Sequence, residues 1–312
     1  NDSTDNENRG QALALYMIMQ MTGIVSAQAL LVLADPGGFI LFIIPSVLIS
    51  LSFTPILLSV SPVPSHETAK PLTLLEIWRA SPLGCTGMFL LGGIFSAQFG
   101  MASVYGTQAG LSVVQISTFV SAFFVGALVL QFPIGWISDR MDRRIVIMAT
   151  SATLGAAALF GALFGGSFWA IVLAALIVGG MSNPLYSLLL AYVNDYLDHD
   201  AMAGAAGGMV FINGLGAVSG PLVIGWIMSV LGAPGFFIFI AALGGVLAVY
   251  AAYRMTVRAA PSSEDTDSYA IVTMSSSPAA VTIATEYAID TAQDEETMDD
   301  TIPEMGENPR VT

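Results

Sequence analysis

The sequence predicts an all-α integral membrane protein with eight transmembrane helices. Only 10% of its 312 residues are charged and 55% are hydrophobic, whereas roughly a quarter of the residues of an ordinary soluble domain are charged. The hydrophobic residues are also gathered into long stretches. These apolar stretches are 11–33, 38–60, 84–106, 112–134, 145–165, 169–192, 204–230 and 236–253.

Each apolar stretch has the length of a membrane-spanning helix. At ~1.5 Å of rise per residue, about 20 residues cross a hydrocarbon core of ~30 Å. The stretches are continuously apolar and lack the strict alternation of a lumen-facing barrel strand. We therefore expect helices rather than strands at all eight positions.

The basic residues predict the orientation of these helices. All nine fall in alternate connections between the stretches, and the other connections contain none. Because Lys and Arg in short loops favour the cytoplasmic side, both ends of the chain are predicted to be cytoplasmic. The nine are Arg9, Lys70, Arg79, Arg140, Arg143, Arg144, Arg254, Arg258 and Arg310.

Two polar segments complete this organisation. Residues 62–83 form the longest internal connection, predicted to be a central cytoplasmic loop in which Leu72–Arg79 forms a short interfacial helix carrying Trp78. Beyond Pro261 lie 12 of the 23 acidic residues, in a stretch that lacks a long apolar run. We expect residues 259–312 to be a disordered acidic cytoplasmic tail.

An internal repeat relates the beginning and the end of the apolar region. The segment Tyr16–Ser26, YMIMQMTGIVS, aligns without a gap with Met209–Ser219, MVFINGLGAVS, so that Gln20 corresponds to Asn213. The following stretches also correspond, PGGFILFII from Pro36 with APGFFIFIA from Ala233. The first two helices are therefore repeated as the seventh and eighth.

A displacement of six helices predicts two parallel six-helix bundles. Four further helices are then expected before Asn1. Under this interpretation residues 1–61 hold the last two helices of an N-terminal bundle, residues 62–83 the central loop, and residues 84–258 a complete C-terminal six-helix bundle.

A charged motif lies between the fourth and fifth stretches. It reads Gly135-Trp-Ile-Ser-Asp139-Arg140-Met-Asp142-Arg143-Arg144. This resembles the cytoplasmic signature of the major facilitator superfamily, with Asp142 standing where that family prefers Gly. The segments NRG at 8–10 and WRASPLG at 78–84 resemble the bacterial YcaD-like branch.

The resemblance implies the fold and role of that superfamily. The expected function is secondary active transport of a small solute by alternating access across a bacterial cytoplasmic membrane. It also implies that Gly135, Asp139, Arg140, Arg143 and Arg144 form a gating motif, in which Asp139 contacts the start of the first helix near Gly10. The alternative for Arg143 and Arg144 is that they only set the membrane topology.

Polar residues near the middle of the stretches are candidates for substrate binding. They are Gln20, Gln98, Asn183, Tyr186 and Asn213. An unpaired amide in hydrocarbon costs on the order of several kcal/mol, so each needs a partner, water or substrate. The alternative is that they bond helix to helix. Pro184 and Pro221, inside two stretches, predict kinks.

Nothing in the sequence predicts an enzyme, a cofactor or a metal site. His66 and His199 lie in cytoplasmic connections, and the one cysteine, Cys85, is expected to be a packing residue. Nucleic-acid binding is not expected, because there is no basic patch outside short loops. We expect a monomer in a lipid bilayer with a small-molecule substrate. A non-transporting scaffold or sensor acting through the acidic tail is the alternative function.

Overall fold

The computed structural model describes residues 18–20, 22–30, 38–58, 72–197 and 199–257, and every regular element among them is helical. Helical residues 18–20 and 22–30 are here called α1. The remaining helices are α2 (Ile40–Leu58), α3 (Leu74–Ala80), α4 (Pro82–Phe95), a π-helix (Ser96–Met101), α5 (Ala102–Gln108), α6 (Val113–Ser138), α7 (Arg143–Leu163), α8 (Phe168–Asn194), α9 (His199–Leu231) and α10 (Gly235–Val257).

Six of the predicted spans are confirmed as helices long and apolar enough to cross a membrane. They begin at Pro82, Val113, Arg143, Phe168, Gly204 and Gly235. The predicted number of eight is not confirmed for the described residues. The apolar part of α2, Ile40–Thr54, is shorter than the other spans, and the first stretch is described only in part. Residues 62–71 of the predicted central loop and the predicted tail, residues 259–312, lie outside the described residues.

Polar side chains cap the first turns of several helices. Ser112 and Gln115 form a reciprocal capping box at the start of α6, and Thr73 and Glu76 form another at the start of α3. Asp142 caps α7, which places Arg143 and Arg144 inside the helix. Gly110 and Gly232 adopt a φ of 73° in the turns after α5 and α9, a conformation that favours glycine.

The described bundle is organised around α8. Every residue from Ser182 to Asn194 is buried, so this half of α8 is surrounded by other helices. The most extensive helix pairs are α6 with α8, α7 with α10, α4 with α9 and α7 with α8. Glycines allow the backbones to approach closely: a Cβ at Gly126 of α6 would lie 1.8 Å from the carbonyl oxygen of Leu176 in α8.

The two prolines from which kinks were predicted both lie inside helices. Pro184 is within α8 and Pro221 within α9. The π-helix is a departure from α-helical geometry that the sequence did not predict. It interrupts the span formed by α4 and α5. The π-helical segment Ser96–Met101 itself contains no proline.

Candidate functional site

The described bundle contains a polar contact between two spans, far from their ends. Gln98 in the π-helix donates from Nε2 to Oγ of Ser182 in α8, at 2.9 Å. Oγ of Ser182 also lies within hydrogen-bond distance of Gln98 Oε1 and of the Gly179 carbonyl, 3.3 Å in both cases. Both side chains are buried. The contact therefore satisfies a buried amide that would otherwise be costly inside a membrane.

The π-helix sets the position of Gln98. One extra residue per turn shifts the side chains that follow relative to an α-helix, and such segments occur frequently at functional sites. Gln98 faces α8, while its neighbour Phe99 is partly exposed and stacks on Phe95 and on Phe124 of α6, with ring centroids 5.4 Å apart in both pairs.

Two further predicted residues lie on the same part of α8. Asn183 donates from Nδ2 to the carbonyl oxygen of Gly179, one turn earlier, at 3.2 Å. The ring of Tyr186 lies against Phe95, with centroids 6.2 Å apart. The structure thus brings Gln98, Asn183 and Tyr186 into one region where α8 meets the first span of the bundle.

Asn213 belongs to a different contact. It donates from Nδ2 to the carbonyl oxygen of Met88 at 3.0 Å and so connects α9 to α4. The helices are close there, since a Cβ at Gly92 would lie 2.0 Å from the Asn213 carbonyl oxygen. Gln20, its counterpart in the repeat, is half-buried on α1.

The candidate binding residues of the bundle are in contact with other parts of the protein. Gln98, Asn183, Tyr186 and Asn213 are all buried within the described bundle. The bonds of Gln98 and Asn213 to other helices have the geometry of the alternative interpretation, in which buried amides join helices. Their role in substrate binding stays a prediction.

The gating motif lies at the end of the bundle where α6 and α8 finish and α7 begins, here called the arginine end. The N–H of Asp139 donates to the carbonyl of Gly135 at 3.1 Å, and the Asp139 side chain is exposed. The guanidinium carbon of Arg140 lies 4.2 Å from the ring centroid of Trp136, and Nη1 donates to the Trp136 carbonyl at 3.1 Å. The contact predicted between Asp139 and Gly10 involves a residue outside the described ones.

Arg143 and Arg144 are buried and form ion pairs, which membrane topology alone does not require. Arg143 pairs through Nη1 with Asp195, the residue that follows α8. Arg144 forms a two-pronged pair with Asp142, with Nε 3.0 Å from Oδ1 and Nη2 2.6 Å from Oδ2. Buried charges of this kind need well-formed partners.

Asp142 accounts for the departure from the family motif. Its φ is −52°, so the loop does not require glycine there, and its carboxylate accepts the N–H of Arg144 at 2.9 Å. Burial by itself raises the pKa of the Asp142 carboxyl, but the hydrogen bonds and charge of Arg144 outweigh it and lower this pKa. Asp142 therefore caps α7 as an anion.

Sequence reasoning missed Ser182 and Asp195. A serine inside an apolar stretch has no distinguishing signal of its own. Asp195 did have one, because it is an acidic residue at the end of a predicted span that finishes on the side of the arginines. Charge pairing across that side could have selected it.

Known proteins were compared with the chain. The sequence profile described as Major Facilitator Superfamily matches residues 84–285. Similar proteins, each named as an uncharacterized MFS-type transporter, include one from Yersinia enterocolitica (26% identical), YfkF from Bacillus subtilis (28%) and YcaD from Escherichia coli (23%). These alignments cover 78%, 76% and 77% of the chain and 62%, 62% and 63% of the relatives.

The chain therefore spans a little over three fifths of the length of the relatives it matches. No solved structure matches it. The family profile covers more than half of the chain, and it includes the charged motif and all six confirmed spans except the first two residues of the first span. The chain belongs to the Major Facilitator Superfamily.

Proposed function

We propose that this chain is part of a secondary active transporter that moves a small solute across a bacterial cytoplasmic membrane by alternating access. Family membership supports this proposal, as do relatives named as transporters. The arginine end faces the cytoplasm in this proposal, because basic loops favour that side.

The observation that carries the proposal is the buried ion pair between Arg143 and Asp195. It joins the start of α7 to the end of α8, and both side chains are almost fully buried. Breaking such a pair by removing one partner costs about 3–5 kcal/mol, since an uncompensated charge is left behind. The pair therefore holds the start of α7 to the end of α8 at the arginine end, which we propose to be the cytoplasmic gate.

The same helix carries the neutral polar residues of the membrane interior. Ser182 and Asn183 lie on α8, 12 and 11 residues before its last residue Asn194, and Ser182 bonds to Gln98. A shift of α8 would therefore alter both the ion pair and the polar contact. We propose that Gln98, Asn183, Tyr186 and Asn213 contribute to the solute site from this bundle and Gln20 from the other.

The remaining motif residues complete the proposed gate. Asp139 ends α6 beside Gly135, and Arg140 stacks on Trp136. We place Asp139 at the seam between the two bundles, where its carboxylate would satisfy the N–H groups at the start of the first helix while the cytoplasmic side is closed.

Transport is tested by solute counterflow with the full-length protein in proteoliposomes. We expect exchange of at least one solute from a panel of neutral, anionic and cationic candidates, and none in protein-free vesicles. A folded protein that exchanges no solute, but whose tail captures a defined partner, would favour the scaffold alternative.

The gate is tested with Asp195→Asn and with the double variant Arg143→Gln/Asp195→Asn. Cysteine labelling at both ends of α6 and α9 reports which side is open. We expect Asp195→Asn to increase cytoplasmic accessibility, and the double variant to regain thermal stability while staying open. If the double variant regains both stability and wild-type accessibility, the pair serves folding only.

A further inference from the structure

The short helix α3 presents three different faces. At 3.6 residues per turn, successive side chains are about 100° apart. Going around the helix, Ile77 is followed by an apolar arc of Leu74, Trp78 and Leu75, and then by a polar arc of Arg79 and Glu76. The apolar and the polar arcs are both exposed, while Ile77 is fully buried.

Ile77 fixes the orientation of α3 against the bundle. A Cβ at Gly208 of α9 would lie 2.2 Å from Cδ1 of Ile77, so the isoleucine fills the space that this glycine leaves. The capping box of Thr73 and Glu76 closes the first turn of the helix, and the N–H of Ser81 donates to the Ile77 carbonyl at 2.9 Å. The rotation of the helix is therefore set by protein contacts.

The exposed apolar arc lies close in sequence to the first confirmed span. Leu75 is 56% exposed and Trp78 is 47% exposed. The first confirmed span begins at Pro82, only two residues after α3 ends. The arc is thus continuous with the end of a membrane-spanning surface.

We propose that α3 is a lipid-binding surface that lies flat in the headgroup layer. Leu75 and Trp78 enter the boundary of the acyl chains, and the guanidinium of Arg79 binds the phosphate of an anionic lipid. Trp and Leu next to a basic residue are the chemistry of interfacial helices, and Trp favours the level of the headgroups.

A second tryptophan and arginine support this placement. At the arginine end of α6, exposed Trp136 lies beneath the guanidinium of Arg140. Trp136 lies in the last turn of a confirmed span and Arg140 just after it, while Trp78 and Arg79 lie a few residues before the first confirmed span. Because anionic lipids attract basic side chains at the cytoplasmic surface, Arg79 at the edge of the apolar arc is well placed for a phosphate.

The first experiment measures the immersion of α3 in the full-length transporter. Spin labels are attached to Leu75→Cys, Trp78→Cys and Glu76→Cys in a background without other cysteines, reconstituted in phosphatidylglycerol and phosphatidylethanolamine. We expect labels at 75 and 78 to collide more with oxygen than with a water-soluble nickel chelate, and the label at 76 to show the reverse. Equal nickel accessibility at all three sites would place α3 in water.

Protection of positions 75 and 78 from both oxygen and nickel would also contradict the proposal. That outcome would mean that another part of the protein covers the apolar arc.

The second experiment tests the phosphate contact and the anchor. With the label at 75, Arg79→Gln should reduce immersion in vesicles that contain phosphatidylglycerol, whereas Arg79→Lys should retain it. Gly208→Leu should also reduce immersion by displacing Ile77, whereas Gly207→Leu, with open space around it, should not. Unchanged immersion in Arg79→Gln would overturn the role of the arginine, and unchanged immersion in Gly208→Leu that of the anchor.

Discussion

The two copies of the repeated helix pair have similar sequences but different environments. In α10, Phe236 and Phe239 are 0% and 5% exposed, while the corresponding Phe39 and Phe42 at the start of α2 are 72% and 73% exposed. The first helices of the two repeated pairs, α1 and α9, differ in the same way. A Cβ at Gly216 of α9 would lie 2.0 Å from the Phe89 carbonyl oxygen. A Cβ at Gly23 of α1 would meet no atom of another described element within 4 Å.

The difference teaches that burial depends on partner helices rather than on the apolar pattern. Phe236 is buried because Tyr105 and Phe119 lie beside it, with ring centroids 4.8 and 6.0 Å away. Tyr105 belongs to α5 and Phe119 to α6, in the first two confirmed spans. If the repeat extends to the neighbouring helices, helices equivalent to α5 and α6 cover Phe39.

The largest expected effect is that of Phe236→Ala. Removing a fully buried aromatic side chain from a packed cluster costs on the order of 3 kcal/mol. Phe211→Ala is the matched control, because Phe211 lies on α9 and is 54% exposed. The unfolding temperature in detergent should fall clearly for Phe236→Ala and little for Phe211→Ala.

The same measurement on Phe39→Ala in the full-length protein extends the comparison. A loss of thermal stability similar to that of Phe236→Ala is expected if other helices cover Phe39. A loss no greater than that of Phe211→Ala would break the equivalence of the two copies.

An intermediate effect is expected from Gly216→Ala. The added methyl group would force α9 away from α4, and overpacking of this kind costs about 1–3 kcal/mol. Gly214→Ala is the control, because nothing lies within 4 Å of its Cβ position, and it should be neutral or slightly stabilising. In the full-length protein, Gly23→Ala should resemble Gly216→Ala. If it behaves like Gly214→Ala instead, α1 has no close neighbour equivalent to α4.

The smallest expected effect on stability is that of replacing Asn213 and Gln20, the two amides that correspond in the repeat. Asn213→Leu removes one hydrogen bond to the Met88 carbonyl, and such bonds in membranes contribute about 0.6 kcal/mol on average. The fold should therefore survive in Asn213→Leu, in Gln20→Leu and in the double variant. If both residues also bind solute, the double variant should show a raised KM for transport. Unchanged kinetics would leave them as packing residues.

Much of the fold could be predicted because a membrane makes strong demands on sequence. The spans were recognisable from length and polarity, and α3 was expected from Leu72–Arg79 and observed at Leu74–Ala80. The helix ends were predicted less well, since caps such as Asp142 extend α7 into polar sequence. The π-helix around Gln98 could not be predicted, because neither proline nor a distinctive pattern marks it.

The candidate binding residues were selected from the sequence, and their role in binding stays a prediction. Gln98, Asn183 and Tyr186 were selected by polarity and depth, and the structure brings them to one region of α8. Their partners could not be selected in the same way. Ser182 resembles any other small residue of a membrane helix, and the pairing of Arg143 with Asp195 joins residues 52 positions apart.

By itself, the sequence determined the class of the protein, the apolar spans and the charged motif of its family. These follow from the high cost of placing polar groups in hydrocarbon. Only the tertiary structure decided which apolar side chains contact other helices, which amides are bonded across the bundle and which acid neutralises Arg143. Lipid chains are as apolar as leucine, so hydropathy does not distinguish a side that faces lipid from one that faces a helix.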